Sequence, residues 1–255
     1  MPIIQSVERA LKILDLFDER ERELTITEIS KRMNLHKSTV HSLLKTLQEQ
    51  RYIAQNEENG KYSLGLKLFE RGNMVVSNLD LRKVARKHLE WLSAITNLTI
   101  HLVVLDGREG VYIDKVEGSG VTVVYSRVGR RVPIHTSAVG KSLVLTKTDK
   151  ELDLLLDGYT YTKPTEKSIG SKEEFLAEIE KARIAGYSID NEENEPGIVC
   201  LAVPIKDYSG KVIAAMSVSM PATQVNVEAR DHYVQILKEC SSKISQELGY
   251  EYQKI

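Results

Sequence analysis

Cysteine is scarce in this sequence: Cys200 and Cys240 are the only two in 255 residues, and neither stands beside another Cys or a His. That pattern excludes a disulfide framework and a zinc ribbon. An excess of one charge is also lacking, with 35 Lys and Arg against 36 Asp and Glu. A uniformly basic nucleic-acid binder is thereby excluded, although binding follows local clusters of charge and not their sum. Long apolar runs are missing too, since the longest, residues 198–205, is interrupted by Pro204. It is too short to span a bilayer, and Met1 to Gln5 carry no basic start of a secretory signal. The expectation is a chain of the reducing cytoplasm, without membrane attachment.

What is present begins with helical spacing. Val7, Ala10, Leu11, Ile13, Leu14 and Phe17 share one face behind Ser6, which the pattern makes the N-cap. Thr25 stands three residues before Glu28, the capping-box spacing, and Ile26, Ile29 and Met33 line the short helix that follows, ended by Asn34. A third helix is expected over residues 37–49, burying Val40, Leu43, Leu44 and Leu47. Two short helices joined at Asn34-Leu35 form a helix-turn-helix. Residues 52–55 and 61–64 then flank a loop ending in Asn59-Gly60, read as a hairpin turn, so the first part of the chain is a winged arrangement. A connecting helix is expected over residues 66–77.

Charge counted by segment changes the picture. Residues 1–78 hold 12 basic and 11 acidic side chains, yet residues 31–51 hold Lys31, Arg32, Lys37, Lys45 and Arg51 against Glu49 alone, a local net charge of +4. Lys37, Lys45 and, on the wing, Lys61 suit phosphate oxygens. Thr27, Ser38, Thr39, His41 and Ser42 are short donors and acceptors able to reach base edges. These eight residues are the candidate DNA-binding set.

From about residue 78 onward the pattern is mixed. A helix is expected over residues 79–95, strands over 99–105, 110–116, 121–127, 199–205 and 212–220, and helices over 137–145, 151–156 behind Thr148, and 172–185 between a Ser171/Glu174 capping box and Gly186. The pattern assigns no element beyond Met220. Amide groups at the start of the helix near Ala138 and Val139 suit a carboxylate, and equally Ser137 serves simply as the cap. Ser217 and Ser219 fall on one face of their strand.

Two motif sets together resemble the IclR-type bacterial transcription regulators. In the head they are Ser6-Val7-Glu8-Arg9-Ala10-Leu11, Leu24-Thr25-Ile26-Thr27-Glu28-Ile29-Ser30, Lys37-Ser38-Thr39-Val40-His41-Ser42 and Tyr62-Ser63-Leu64-Gly65. Further on they are Gly129 to Ser142, Gly186-Tyr187-Ser188-Ile189-Asp190-Asn191, and Gly197 to Ile205. The resemblance implies an α+β chain: a winged helix-turn-helix domain with its linker helix over residues 1–77, and a GAF-like α/β effector-binding domain over residues 78–255. It further implies a homodimer that pairs into tetramers, bound to double-stranded operator DNA. The regulator would be a repressor of a catabolic operon released by a small organic acid. Its effector pocket would comprise Val121, Val124, Val132, Ala138, Val139, Asp190, Ile198, Cys200, Ser217 and Ser219.

Other chemistries stay in view. Cys200, His135 and Asp190 are the residue types of a nucleophile, base and orienter, but no nucleophile elbow, Walker loop or dinucleotide fingerprint accompanies them. A metal- or thiol-responsive regulator is the other alternative, since His88, His101, His135 and His232 are available beside Asp190 and Cys200, at spacings that match no tight ligand pattern. Neither a cofactor, a resident metal nor an enzyme activity is expected.

Overall fold

Helix α1 (Gln5–Leu14) starts two residues earlier than a Ser6 cap allows: Ile4 is its N-cap, with no side-chain cap bond, and Ser6 lies inside the helix. The end is exposed, so water serves the free amides and no hydroxyl is required. Helix α2 (Ile26–Met33) has the expected box, Thr25 Oγ1 accepting from the Glu28 amide while Glu28 accepts from the Thr25 amide at 2.7 Å. Asn34 takes the left-handed conformation, φ 51°, and turns the chain into α3 (Lys37–Glu49). The computed structural model describes residues 3–18, 21–77, 80–118 and 126–250.

Strands β1 (Ile53–Gln55) and β2 (Tyr62–Leu64) pair antiparallel, and Leu24 adds a single bridge to Tyr62. The loop between them ends in the expected Asn59-Gly60 pair, with a positive backbone angle at one of its two residues. Six residues separate the strands; Asn56 Oδ1 accepts from the Glu58 and Asn59 amides, and only Gly60 has positive φ, at 67°. An Asx turn at Asn56 thus shapes the start of the loop. Ile13, Phe17, Leu24, Ile29, Val40, Leu44, Ile53 and Tyr62 form the core of this unit, and α4 (Leu66–Ser77) follows the wing.

The chain divides into two compact units, Met1–Asn78 and Leu79–Ile255. In the second, α5 (Asp80–Thr96) precedes β3 (Thr99–Asp106) and β4 (Glu109–Val116). Short β5 (Arg131–Pro133), α6 (Ala138–Leu143), α7 (Asp149–Leu156) and α8 (Lys172–Ala185) follow. The unit continues with β6 (Ser188–Asn191), β7 (Ile198–Lys206), β8 (Val212–Pro221) and a long α9 (Val227–Glu247). Six strands make one wholly antiparallel sheet in the order β5-β4-β3-β8-β7-β6. Of the strand expected over residues 121–127, residues 121–125 lie outside the described residues, and Ser126 and Arg127 are not strand.

The period of two decides what each face meets. Leu201, Val203 and Ile205 of β7 and Met216, Val218 and Met220 of β8 pack with Leu89 and Leu92 of α5 and Leu237 and Ile244 of α9. Cys200, Ala202 and Ala215 turn to the opposite face, against Ala138, Val139 and Leu143 of α6. Gly140 lets α6 pack tightly on the segment that leads into it, because a Cβ there would sit 2.4 Å from Ile134 Cα. Thr148 caps α7 with a full box, whereas at α8 Ser171 caps alone and the Glu174 carboxylate accepts from the Gly170 amide. Among the described residues no helix is long and apolar enough to cross a membrane.

Candidate functional site

In the head, α3 buries Val40 and Leu44 and leaves Lys37, Ser38, His41, Ser42 and Lys45 exposed, with Thr39 half-buried. Lys37 and Lys45 make no ion pair among the described residues. Arg32 is different, since its guanidinium donates to both oxygens of Glu21 at 2.5 and 2.6 Å. Glu21 lies outside the segment that gave +4, so one of its five cations is already neutralised. Thr27 is exposed on the first turn of α2. On the wing Lys61 is half-buried, and its ammonium adds slightly to the lowering of the Glu28 carboxyl that the Thr25 amide and hydroxyl chiefly cause. The acidic tip, Glu57 and Glu58, is exposed, while Glu23 accepts from Asn59 at 3.1 Å and ties the wing to the loop before α2.

In the second unit the hydroxyl-bearing face of the sheet opens on a cavity of about 80 Å³. His101 and Tyr112 from β3 and β4, Cys200 and Ser219 from β7 and β8, and Asp190 from β6 line it, with Ser126, Arg130, Arg131, Val132, Asn194, Glu195 and Ile198 around them. Strand register places these groups together: His101 is the cross-strand partner of Ser217, Cys200 of Ser219, and Asp190 of Cys200. His101 Nε2 lies 2.7 Å from Ser126 Oγ, and Nδ1 lies 3.5 Å from both Ser217 and Ser219. Burial, reinforced by the Lys115 cation, pushes the imidazole down to about 3, so near neutral pH it is uncharged and offers one donor and one acceptor.

Asp190 is 3% exposed. Its Oδ1 accepts from the amides of Glu193 at 2.7 Å and Asn194 at 3.2 Å; no hydrogen bond reaches Oδ2 among the described residues. Burial, above all, raises its carboxyl to about 7, and the Glu193 carboxylate adds to the rise. Cys200 Sγ lies 3.0 Å from Ser219 Oγ, and burial with the nearby Asp190 drives the thiol pKa far upward. Arg131 pairs with Asp106 and Glu109.

Of the pocket residues that the resemblance implied, Val132, Asp190, Ile198, Cys200 and Ser219 line the cavity. Ser217 stands behind it on His101. Ala138 and Val139 lie in the apolar layer beneath and do not line it. Ser137 caps α6, accepting from the Gly140 amide and donating to Pro133 O. Val121 and Val124 lie outside the described residues. Sequence reasoning passed over His101 as a pocket group, and over Tyr112, Ser126, Asn194 and Glu195. The register partner of Ser217 was the available signal for His101.

The nucleophilic arrangement is not assembled. His135 engages Tyr159 Oη through Nδ1 and Thr162 O through Nε2, away from Cys200 and Asp190, and the Cys200 thiol is held protonated. The histidines are likewise dispersed: His88 meets Glu247 and His101 meets Ser126. Among the described residues no group of three His, Cys, Asp or Glu is placed to hold a metal ion.

A helix-turn-helix head with free cations on its second helix, followed by an α/β unit enclosing a polar cavity, defines a DNA-binding regulator with a ligand-sensing domain. Two protein-family models match: the IclR helix-turn-helix domain over residues 6–57, and the bacterial transcriptional regulator IclR C-terminal domain over residues 73–246. The HTH-type transcriptional regulator XynR of Escherichia coli is 50% identical over 250 residues, spanning 98% of this chain and 99% of XynR. The crystal structure of Thermotoga maritima IclR superposes with a TM-score of 0.78 at 34% identity, covering 96% of this chain and 99% of that one. An IclR homolog from Microbacterium hydrocarbonoxydans, complexed with 4-hydroxybenzoate, gives a TM-score of 0.81 at 26% identity, covering 95% and 98%. The chain belongs to the IclR family of transcriptional regulators, proteins that bind DNA through the helix-turn-helix head.

Proposed function

We propose that this regulator is an operator-binding repressor of a catabolic operon, acting in the cytoplasm as a homodimer or dimer of dimers and released by a small hydroxy acid. The carrying observation is the cavity itself: uncharged His101, the Ser126 and Ser219 hydroxyls and the open Oδ2 of Asp190 converge on one small space, with Arg130 at its wall. Arg130 supplies positive charge for a ligand carboxylate. A second carboxylate beside an anion is repulsive unless it accepts a hydroxyl, which gives Asp190 its partner on the ligand. At about 80 Å³ the cavity is far below the hundreds of Å³ of a drug-sized site, which restricts it to a small acid. The 4-hydroxybenzoate complex of a relative supports an organic acid in this fold.

Dimerisation is supported by the apolar outer faces of the head, where Ile4 at the cap of α1, Val7 and Leu11 within it, and Leu66 and Phe69 of α4 are exposed in the single chain. An effector moves paired heads only by its differential affinity for two dimer geometries. Full switching takes about 5.5 kcal/mol. One or two charge-assisted hydrogen bonds per subunit, at about 1.5–3 kcal/mol each, are enough. A thermal-shift screen of small organic acids tests the reading, since a ligand of the folded state raises Tm with the logarithm of its concentration. Hydroxy acids should give the hits, and Ser219→Ala and Asp190→Asn should abolish them. A screen in which no acid stabilises the chain, or in which both variants respond unchanged, overturns it.

A further inference from the structure

Lys141 is 1% exposed, on a helix whose other residues are small or apolar. Nothing in the cavity explains it, because neither Lys141 nor its partner Glu193 lines that space. Lys141 Nζ donates to Glu193 Oε1 at 2.6 Å, to Oε2 at 2.7 Å and to Ile189 O, on β6, at 2.8 Å. Glu193 is therefore held at three points. Its side chain is bound by Lys141, its amide donates to Asp190 Oδ1, and its carbonyl accepts from Ser168 Oγ at 2.6 Å and Thr165 Oγ1 at 3.2 Å. The same turn, with Glu192 at φ 63°, carries Asn194 and Glu195 into the cavity wall. Burying two charges is costly and gives no net stability over an apolar pair, so a structural account alone leaves the choice of Lys and Glu unexplained.

We propose that the buried Lys141–Glu193 pair is the positioning device of the effector site: it fixes the turn whose amides occupy one oxygen of Asp190, presents the other oxygen to the ligand, and sets the charge that Asp190 carries. The assignment of the cavity as the ligand site rests on the function proposed above; the pair's effect on Asp190 does not. Charged and titratable groups face Asp190 from every side: His101 from β3, Tyr112 from β4, Arg130 beside β5, Cys200 from β7, Glu193 and Glu195 from its own loop, and Lys141 from α6. Glu193 acts on it more strongly than Lys141 does, so removing the Glu193 charge favours the carboxylate whether or not the lysine stays protonated.

The test is a pH titration of the Asp190 side-chain carbon by NMR, in full-length protein labelled at aspartate, with Asp190→Asn to assign the signal. In the parent chain the midpoint lies near 7. In Glu193→Gln, which keeps hydrogen-bonding capacity toward Lys141, it should fall by about one pH unit or more. The double variant Lys141→Met with Glu193→Leu removes both charges while filling the space, and so retains the fold. There the amides of residues 193 and 194 should lose at least roughly tenfold of their protection from hydrogen exchange, because one of the three holds on the turn, the side-chain one, is gone. An unmoved midpoint in Glu193→Gln, or unchanged protection in the double variant, overturns the proposal. Neither measurement needs a ligand. A failed screen of hydroxy acids therefore overturns the cavity reading alone, and a failed titration overturns the positioning role alone.

Discussion

Arg32 and Glu21 form a two-bonded ion pair across the turn before α2, at 2.5 and 2.6 Å, so the basic segment around the recognition helix presents fewer free cations than its sequence counts. Each phosphate neutralised contributes about 0.9 to the slope of log binding constant against log salt. Lys37→Ala and Lys45→Ala should each lower that slope by about one on random duplex DNA, while Arg32→Ala leaves it unchanged. Filter binding between 50 and 200 mM salt, a range set by that salt dependence, measures it. Equal losses for all three variants would contradict the assignment.

Base reading separates from phosphate binding in a second comparison. His41 and Ser42 are exposed on the same helix face as Lys37, Ser38 and Lys45, and their side chains are short enough to serve as donors and acceptors at base edges. His41→Ala is expected to flatten the preference among selected duplex sequences and leave the salt slope intact. A selection experiment on randomised duplexes gives the answer. Unchanged preference would remove His41 from the reading set.

Much of this was legible because local rules and tertiary demands agree. The Thr25-Glu28 and Thr148-Glu151 boxes, the left-handed Asn34 and Gly186, and the alternation in β7 and β8 are each set by a few neighbouring residues. Helix α9 escaped because its buried stripe mixes Val234, Leu237 and Ile244 with Cys240, Ser241 and Ser245, which weakens the apolar period. Ser241 is buried there only because its hydroxyl donates to Pro204 O, a partner 37 residues away. The cavity was half legible for a similar reason. Ser217 and Ser219 share a face by periodicity, but their meeting with His101 depends on the register between β3 and β8, which no local pattern reveals. Lys141 was unreadable as a core residue, since its charge is buried only in the company of Glu193.

His101 and Asp190 bend the pH dependence of stability in opposite directions. The imidazole falls to about 3 in the folded chain from an ordinary 6.5, so the unfolded state binds the extra proton between those values and stability is lost as pH falls from about 6.5. The carboxyl rises to about 7 from 3.8, so the folded state binds the extra proton and stability is lost as pH rises from about 4 to 7. Each slope is at most about 1.4 kcal/mol per pH unit, and between pH 4 and 6.5 they offset. Removing one partner exposes the other. Asp190→Asn should become steeply acid-labile below pH 6.5, whereas His101→Gln should melt at lower temperature as pH rises from 4 to 7. Parallel melting curves for the two variants across that range would refute the opposition.

The thiol of Cys200 separates the regulator from the Cys-dependent and thiol-responsive alternatives. A reactive cysteine is an accessible thiolate; here burial and Asp190 favour the protonated thiol, and Sγ is engaged with Ser219. Iodoacetamide at neutral pH should leave Cys200 unlabelled over the time in which denatured protein reacts to completion. Rapid labelling of the folded chain would restore the nucleophile reading.

Stability separates the partners of the buried pair from the pair as a whole. Lys141→Met strands the largely buried Glu193 carboxylate near the Asp190 carboxyl without its cation, which should cost about 3–5 kcal/mol. Replacing both residues, as Lys141→Met with Glu193→Leu, leaves no charge to strand and should recover most of that loss. Gly140→Ala, one residue away, should cost about 1–3 kcal/mol by a different route, since its new methyl meets the Ile134 backbone and displaces α6 from the segment that leads into it. Denaturant unfolding of the parent, these three variants and Glu193→Leu alone measures all the values and closes the double-mutant cycle. The decisive quantity is the coupling energy between positions 141 and 193: a value near zero would mean that the two charges do not stabilise one another, and the ion pair would lose its part in holding the turn beneath Asp190.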